Sequence, residues 1–182
     1  PYTTLFRSPR VKPCGGAVSE YALSHLDIEV PDSLIEGKCF GARVRYKNLS
    51  KELGTDELLS SLVSRSRFDA YLTGCAVDMG AELKEGVSVR SVKSGNDYAT
   101  VETSEGDIKC RVVIGADGVR SVCARNVRAP FGPEETAFAM EAEIPATKEY
   151  INEYISNKVE FHFGEVPNGY GWVFPKDGYF SV

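Results

Sequence analysis

The clearest candidate for ligand binding is an aromatic stretch near the end of the chain, YGWVFP, preceded by a Pro-Asn-Gly turn. Successive side chains of a strand point to opposite sheet faces, so Tyr170, Trp172 and Phe174 are predicted to share one face. Three rings in a row would form an aromatic wall, and such walls supply apolar area and shape for recognition. The alternative is a core-facing strand, which the pattern alone favours because aromatic residues are enriched in half-buried strands.

Polar and reactive side chains occur in three other places. Cys14 precedes Gly15 and Gly16, and glycines permit backbone conformations that other residues resist. An ordinary turn with a buried cysteine would have the same sequence. Arg65 carries a guanidinium fork, which matches phosphate geometry, but a solvated surface arginine is equally simple. Asp117 in GADG could accept hydrogen bonds from loop amides or from a ribose hydroxyl, or it could only form a turn.

One long helix and several strands are predicted to position these side chains. The helix is predicted over 68–82, where apolar residues recur at three and four residues and Gly80 is a plausible stop. Its apolar stripe would consist of Phe68, Leu72, Cys75, Ala76 and Met79. Strands are predicted at 41–46, 87–92, 98–103, 108–114, 138–144 and 159–163, with an acidic helix at 147–156.

Two of these strands carry a further expectation about burial. The run Val112-Val113-Ile114 enters the GADG loop and is typical of a buried strand that ends at a ligand-facing loop. Phe161 and Phe163 alternate on the strand before the aromatic one. We predict that both of these rings belong to the core.

Composition excludes several classes of function. The net charge of -5 comes with no block of lysine and arginine that could track a phosphate backbone, so a nucleic-acid partner is not expected. The five cysteines form no C-x-x-C pair, and the two histidines lie far from them in sequence, which argues against a zinc site and a disulfide framework. No apolar run of about 18 residues is present, and the chain does not open like a secretory signal. We therefore expect a cytoplasmic location and no bound metal.

The first eight residues, PYTTLFRS, look like the in-frame translation of a sequencing-library adaptor. We exclude residues 1–8 from the prediction of the fold. The natural chain is then expected to begin upstream. A Pro/Gly-rich connector at 128–133 is a candidate boundary between two lobes.

Four segments carry a resemblance to a known family. They are KPCGG at 12–16, RSRFDAYL at 65–72, VVIGADGVRS at 112–121 and PNGYGWVFP at 167–175. In these segments, and in their order, the chain resembles the geranylgeranyl reductase family of FAD-dependent enzymes. It is most similar to the archaeal, digeranylgeranylglycerophospholipid reductase-like branch, which saturates the prenyl chains of membrane glycerolipids. The last segment fits the family pattern P-x-x-Y-x-W-x-F-P at every fixed position, whereas GADG alone is shared with many flavin hydroxylases.

The resemblance implies a mixed α/β (α+β) fold. A partial Rossmann-like FAD-binding domain of the aromatic-hydroxylase type would occupy 9–127, with a small substrate-sheet insertion near 37–50. The start of an antiparallel β-sheet substrate domain would occupy 128–182. The family's N-terminal G-x-G-x-x-G turn does not occur in this sequence, and no G-D pair follows the aromatic segment, where the resemblance places the family's G-D motif. We therefore expect an internal fragment that is inactive and does not hold FAD by itself.

The resemblance also implies roles for individual residues. Cys14 would face the reaction cavity as the catalytic candidate, where its thiol could donate a proton, shape the cavity or tune the flavin. The implied FAD-binding residues are Cys14, Gly15, Gly16, Arg65, Val89 and Asp117. The implied substrate-binding residues are Tyr170, Trp172, Phe174 and Pro175.

The implied reaction is the reduction of prenyl carbon–carbon double bonds in a geranylgeranylated lipid. Reduced FAD would deliver a hydride to an isolated double bond while an acid protonates the other carbon. The electron donor is left open among a nicotinamide such as NADPH, ferredoxin and deazaflavin. Peripheral contact with the inner face of the membrane is expected only because the substrates reside there.

Two other functions stay open at this stage. A flavin monooxygenase or halogenase that acts on an aromatic substrate would share GADG, but it gives no reason for the Y-x-W-x-F-P pattern. A non-catalytic lipid-binding lobe would use the aromatic wall only to grip a chain.

Overall fold

The computed structural model describes residues 7–182, so most of the expected adaptor-derived stretch at 1–8 lies outside the described residues. The chain forms two compact units. One comprises Gly80–Phe138, and the other combines Pro9–Met79 with Ala139–Val182.

This division differs from the boundary expected between 127 and 128. Residues 41–46 pair directly with 158–163, and this pairing ties two distant parts of the chain into one unit. The functional domains at 9–127 and 128–182 stay a prediction.

Short strands dominate the structure, and the fold class is the predicted mixed α/β one. In chain order the strands are β1 (Ala17–Ser19), β2 (Ile35–Cys39), β3 (Gly41–Tyr46), β4 (Leu49–Gly54), β5 (Ser60–Val63), β6 (Val89–Ser94), β7 (Ala99–Thr103), β8 (Gly106–Cys110), β9 (Glu143–Pro145), β10 (Lys158–Phe163), β11 (Tyr170–Pro175) and β12 (Tyr179–Ser181). The helices are α1 (Glu20–Leu23), α2 (Arg65–Asp78) and α3 (Lys148–Tyr154), and single 3-10 turns lie at Asp32–Leu34, Cys123–Asn126 and Pro133–Glu135.

The larger unit contains a six-stranded sheet with the order β4-β3-β10-β11-β12-β9. Strand β3 runs parallel to β10, and the other neighbours are antiparallel. The predicted strands at 41–46 and 159–163 are confirmed. In contrast, the segment predicted as a strand at 138–144 contributes only β9, and Phe138 and Met140 are 95% and 88% exposed.

A second sheet of the larger unit has the order β1-β5-β2. Its Cys39 and Leu62 form one buried cluster with Val159 of β10 and Phe174 of β11. Removing a leucine side chain from water, as at Leu62, stabilises a fold by roughly 1.5–3 kcal/mol. This cluster therefore fixes the small sheet against the face of the large sheet that carries Phe174.

The opposite face of the large sheet is covered by α3. Ile151 and Ile155 pack with Phe180, and Val173 of β11 joins them. Val173 thus points away from the aromatic side chains of its own strand, as predicted. Thr147 caps α3 by accepting a hydrogen bond from the backbone N–H of Tyr150.

A buried ionic cluster lies on the α3 side of β10. Glu160 is fully buried and accepts hydrogen bonds from Arg43 (2.9 Å) and from the Tyr154 hydroxyl (2.9 Å). It also contacts His162 at 2.5 Å. Burial opposes ionisation of this carboxyl, but the bonds from Arg43, Tyr154 and His162 outweigh it and hold the pKa of Glu160 below its ordinary value.

Helix α2 differs from its prediction at both ends. It begins at Arg65 and ends at Asp78, and Gly80 follows with a φ of +99°, so the predicted stop is confirmed. The predicted apolar stripe is wrong in its C-terminal part, because Phe68 is buried while Met79 is 81% exposed. The spacing of the apolar residues predicted a stripe along the whole helix. Other described elements cover Phe68 near the start of α2, but the end of the helix is exposed.

The smaller unit contains the antiparallel meander β6-β7-β8. Its first two strands confirm the predictions at 87–92 and 98–103 to within two residues. The third is wrong at its end: β8 stops at Cys110, and Val112 and Ile114 are 75% and 87% exposed. A continuous apolar run becomes a buried strand only where a sheet offers it a pairing partner, and no described strand pairs with 112–114.

Within residues 7–182 no helix is both long and apolar enough to cross a bilayer. The same residues contain no group of three histidine, cysteine or acidic side chains arranged to hold a metal ion. All five cysteines are free thiols. Cys39 is buried, and the other four are half-buried.

Candidate functional site

The loop of Cys14, Gly15 and Gly16 packs directly against the aromatic strand. A Cβ atom at Gly15 would lie 2.4 and 2.6 Å from two carbons of the Phe174 ring, so only glycine allows this approach. Gly16 has a φ of +71°, and a Cβ there would lie 2.0 Å from the carbonyl oxygen of Val63. Both glycines are required for the loop to lie where it does, which an ordinary surface turn does not demand.

The aromatic wall spans two neighbouring strands. In the antiparallel register, Phe161 lies opposite Trp172 and Phe163 lies opposite Tyr170, so the five rings share one face. Ring centroids are 5.5 Å apart for Phe161 and Phe174, 5.7 Å for Phe163 and Tyr170, and 6.3 Å for Tyr170 and Trp172. These separations are typical of packed aromatic pairs.

Burial changes steadily along this wall. Phe174 is 7% exposed and belongs to the core, Trp172 is half-buried, and Tyr170 is 52% exposed. Phe161 packs against the core as predicted, but Phe163 is 41% exposed and the prediction of a core residue is wrong there. Because β10 extends alongside the outer end of β11, Phe163 lies beside Tyr170 rather than under other elements. The core-facing interpretation therefore holds for Phe174 at the inner end of the wall, whereas Tyr170 at the outer end is exposed. Contact of the wall with a ligand stays a prediction.

Pro175 lies at the buried end of β11. It pairs with Phe180, and its carbonyl oxygen would lie 3.0 Å from a Cβ placed on Gly37. The residue thus fixes the exit of the strand against the small sheet. Its predicted contact with a substrate stays a prediction.

A carboxylate links the Cys14 loop to the wall. The backbone N–H of Cys14 donates to Oε2 of Glu141 (3.0 Å), and the Ser181 hydroxyl donates to Oε1 of Glu141 (2.6 Å). The indole N–H of Trp172 in turn points to Oγ of Ser181 at 3.4 Å, a long hydrogen bond. Sequence analysis did not single out Glu141, because nothing in its local pattern distinguishes it from other acidic residues.

A small cavity of about 50 Å³ opens beside Cys14. Its polar lining residues are Lys12, Cys14, Ser64, Arg65, Ser66, Glu141, Glu143, Lys176 and Tyr179. None of the wall rings lines it. The loop and the wall are therefore joined by the contact of Gly15 with Phe174 and by the Glu141 chain, not by this cavity.

Arg65 lies at the start of α2 on the edge of this cavity. Its guanidinium binds Asp69 through two hydrogen bonds of 2.8 and 2.9 Å. The hydrogen bonds to Asp69, together with an interaction with the Cys14 side chain, raise the pKa of Arg65. A permanent cation therefore lies beside the thiol, while the predicted contact of Arg65 with FAD stays a prediction.

Lys176 is a second cation behind the Cys14 loop, and sequence analysis missed it. Its side chain is 5% exposed and donates from Nζ to the carbonyl oxygen of Val63 (2.7 Å). Burial lowers its pKa to about 8, against the opposing influence of Glu36, Glu141 and other nearby groups. The letters PKDG resemble an exposed turn, and only the packing of β11 on the small sheet buries this lysine.

A tyrosine completes the buried polar cluster on this side. The Tyr179 hydroxyl donates to Oε2 of Glu36 (2.7 Å). Burial, followed by this bond to a carboxylate, raises the pKa of Tyr179. In this bond the phenol is the donor and the Glu36 carboxylate is the acceptor.

The remaining predicted cofactor residues lie in the smaller unit. Asp117 accepts hydrogen bonds from Ser121 Oγ (2.5 Å) and from the backbone N–H groups of Val122 (2.7 Å) and Cys123 (3.2 Å). This arrangement matches the turn-forming interpretation. Val89 begins β6 and is 39% exposed. The contacts of both residues with FAD stay predictions.

Comparison with known proteins gives a family match. The model of the family described as FAD binding domain matches residues 33–174. Geranylgeranyl diphosphate reductase of Rhodobacter capsulatus is 30% identical over 94% of this chain and 44% of its own length. Digeranylgeranylglycerophospholipid reductase 3 of Methanosphaera stadtmanae is 29% identical over 91% of this chain and 44% of its own length. These relatives confirm the resemblance to geranylgeranyl reductases, and the chain spans less than half the length of each.

Two solved structures share the fold. A geranylgeranyl bacteriochlorophyll reductase-like protein from Thermoplasma acidophilum aligns with a TM-score of 0.72 at 23% identity, over 96% of this chain and 47% of that one. A halogenase in complex with phloroglucinol and FAD aligns with a TM-score of 0.68 at 17% identity, over 96% of this chain and 44% of that one. At these identities the likeness extends to the fold and not to the reaction.

Proposed function

The chain belongs to the FAD binding domain family, and from this premise we propose that it is part of an FAD-dependent reductase of prenyl double bonds. The proposed substrate is a geranylgeranylated lipid of archaeal-type membrane lipid biosynthesis. The observation that carries the proposal is the contact between Gly15 and Phe174. This contact places the aromatic wall directly against the loop of Cys14, Gly15 and Gly16.

The residues of the loop suit the cofactor. Gly15 and Gly16 let the loop backbone lie close to Phe174 and Val63. The Arg65 guanidinium, which is paired with Asp69, keeps a cation next to Cys14; in the proposal the loop backbone would lie near the flavin and Arg65 near a phosphate. The contacts of Asp117 and Val89, which lie in the smaller unit, with FAD stay predictions. FAD, when bound, supplies the hydride and its two electrons.

The aromatic wall is the proposed binding surface for the prenyl chain. A polyprenyl chain has almost no polar groups, so its recognition must come from apolar area and shape. Tyr170 and Phe163 are the exposed rings at the outer end of the wall, and they leave apolar area to be covered. Each methylene-sized group buried there would contribute about 0.8 kcal/mol to binding.

Cys14 is the proposed source of the proton. An isolated alkene has no carbonyl to polarise it, so the second carbon must receive its proton from a well-placed acid. The thiol lies on the loop that touches the wall, with the Arg65 guanidinium beside it. The chain's own contribution is thus to hold the prenyl chain, to exclude water from it and to present this proton.

The proposal is tested with a full-length protein that contains this chain. It is incubated with a geranylgeranylated glycerolipid and dithionite, and the lipid is analysed by mass spectrometry. We expect a gain of two hydrogens per reduced double bond. The matched variants are Cys14→Ser and Cys75→Ser, since Cys75 is a half-buried free thiol on α2. Only the first is expected to slow the reduction, by about a hundredfold if it removes general acid catalysis.

A lipid that keeps its mass would overturn the proposal. Oxygen consumption coupled to hydroxylation of an aromatic substrate would assign the protein to monooxygenases instead. A wild-type protein that binds the lipid but never reoxidises its flavin would assign it to lipid carriers. Peripheral membrane contact belongs to the proposal only because the expected substrates reside in membranes. The electron donor stays open among a nicotinamide, ferredoxin and deazaflavin, and the cytoplasmic location stays a proposal.

A further inference from the structure

We infer that Glu141 is a positioning residue that couples the Trp172 ring of the wall to the Cys14 loop. The inference deepens the proposed function and rests on it for its meaning in catalysis. The coupling itself is a property of this chain and can be measured without flavin or lipid. No motif in the sequence pointed to Glu141.

The two oxygens of Glu141 serve two different parts of the site. Oε2 accepts from the backbone N–H of Cys14, and Oε1 accepts from the Ser181 hydroxyl, whose oxygen faces the indole N–H of Trp172. Both acceptor oxygens belong to one planar carboxylate, so a rotation of that plane displaces both of them together. Movement of the indole and movement of the loop are therefore transmitted through one group.

The backbone holds Glu141 firmly in this position. Its neighbour Ala142 exchanges two hydrogen bonds with Val182, of 2.9 and 3.0 Å. Glu143 lies opposite Ser181 in the β9–β12 register. Ser181 is 1% exposed, so no water can readily replace it as the link to Trp172.

The negative charge of the Glu141 carboxylate lies near the positive charge of Lys176. Buried Lys176 lines the same small cavity as Glu141 and Cys14, so a cationic side chain lies near the carboxylate. Hydrogen bonds to an ionised acceptor are roughly twice as strong as neutral ones. In the inferred coupling, the two hydrogen bonds to Glu141 are the link through which a displacement is transmitted.

The consequence for the site is mechanical. A prenyl chain that enters along the wall must contact Trp172, and any shift of the indole changes the hydrogen bond that Ser181 gives to Glu141. The same carboxylate then changes its hold on the Cys14 amide. Occupation of the wall would thereby set the position of the thiol.

Trp172 is the only tryptophan of the chain, so its fluorescence reports on the wall alone. The rate at which iodoacetamide alkylates Cys14, read by mass spectrometry of its peptide, reports on the loop. The decisive variant is Ser181→Ala, which removes the partner of Trp172 without touching Cys14. Coupling predicts that alkylation of Cys14 nevertheless changes by about fivefold, the lower end of typical coupling between sites.

Further variants separate coupling from simple loss of structure. Glu141→Gln keeps the shape but has one acceptor oxygen, so it should alter both the Trp172 emission and the Cys14 rate. Adding Ser181→Ala to Glu141→Gln should then change the Cys14 rate no further. Glu143→Gln is the matched control, since it removes the same charge from the same cavity without belonging to the chain of hydrogen bonds, and both readouts should stay within about twofold.

The inference is overturned if Ser181→Ala shifts the Trp172 emission and leaves the Cys14 rate at the wild-type value. It is also overturned if Glu143→Gln acts as strongly as Glu141→Gln. In the full-length protein, an intact coupling with no lipid reduction would reject the proposed function alone. Lipid reduction with no coupling would reject this inference alone.

Discussion

Replacement of Gly15 by alanine tests the contact on which the proposed function depends. The added Cβ would lie 2.4, 2.6 and 3.0 Å from three carbons of the Phe174 ring, whereas carbon atoms pack best at about 3.5–4.0 Å. Loop and ring must therefore separate by about 1 Å. Gly15 does not have a positive φ, so alanine adds no backbone strain and steric overlap is the whole effect.

Phe174 has little room to yield to the new methyl group. It is 7% exposed and packs edge-on against Phe161 at 5.5 Å. Overpacking of a filled core costs typically 1–3 kcal/mol, and we expect about 2–3 kcal/mol for Gly15→Ala. In the full-length protein we also expect slower lipid reduction, because the loop is displaced from the wall.

The assay is urea-induced unfolding of the chain, followed by circular dichroism and by Trp172 emission. Gly74→Ala is the control, because nothing lies within 4 Å of a Cβ at that helical position. It should stabilise the chain by about 0.5–1 kcal/mol, since alanine is the better helix former. A Gly15→Ala variant as stable as the wild type, with unchanged Trp172 emission, would refute the contact.

Three further predictions concern buried or bonded charges. The pKa of Lys176 is about 8 in the fold and 10.5 in the unfolded chain, so the unfolded state binds more protons between these values. Stability should therefore rise by about 3 kcal/mol from pH 8 to 10.5 in urea titrations, and Lys176→Met should abolish that rise. Glu160→Gln leaves Arg43 without its buried partner charge, and it should lower the free energy of unfolding by about 3–5 kcal/mol; a loss below about 1 kcal/mol would contradict the buried cluster. Asp117→Asn removes a charged acceptor from the loop, so hydrogen exchange at Val122 and Cys123 should quicken by about tenfold, and unchanged exchange would show that the carboxylate does not hold these amides.

Local patterns predicted those elements that a single sheet face or a single turn defines. Strand β3 coincides with its prediction at 41–46, and β11 places Tyr170, Trp172 and Phe174 on one face. The period of two in these strands is a property of any extended chain, so it needs no information about partners. The end of α2 at Gly80 is likewise predictable from local sequence, because glycine adopts a positive φ at lower cost than other residues.

The wrong predictions share one cause. The run 112–114, the stripe that ends at Met79 and the core position of Phe163 all required knowledge of what covers an apolar side chain. Periodicity states that a residue could be buried, whereas burial itself depends on elements that lie far away in sequence. Val112, Met79 and Phe163 are exposed because no described element lies over them.

The sequence by itself determined the aromatic face and the glycine loop, because each is encoded by residue types at short spacing, and the order of four separate segments carried the resemblance to an FAD-dependent family. Only the tertiary structure decided that the loop touches Phe174, that Glu141 links Cys14 to the wall through Ser181, and that Lys176 is buried behind them. These contacts arise from the register of β12 against β9 and from the packing of two sheets. Such long-range pairings are fixed by the free energy of the whole fold, and no local stretch of sequence contains them.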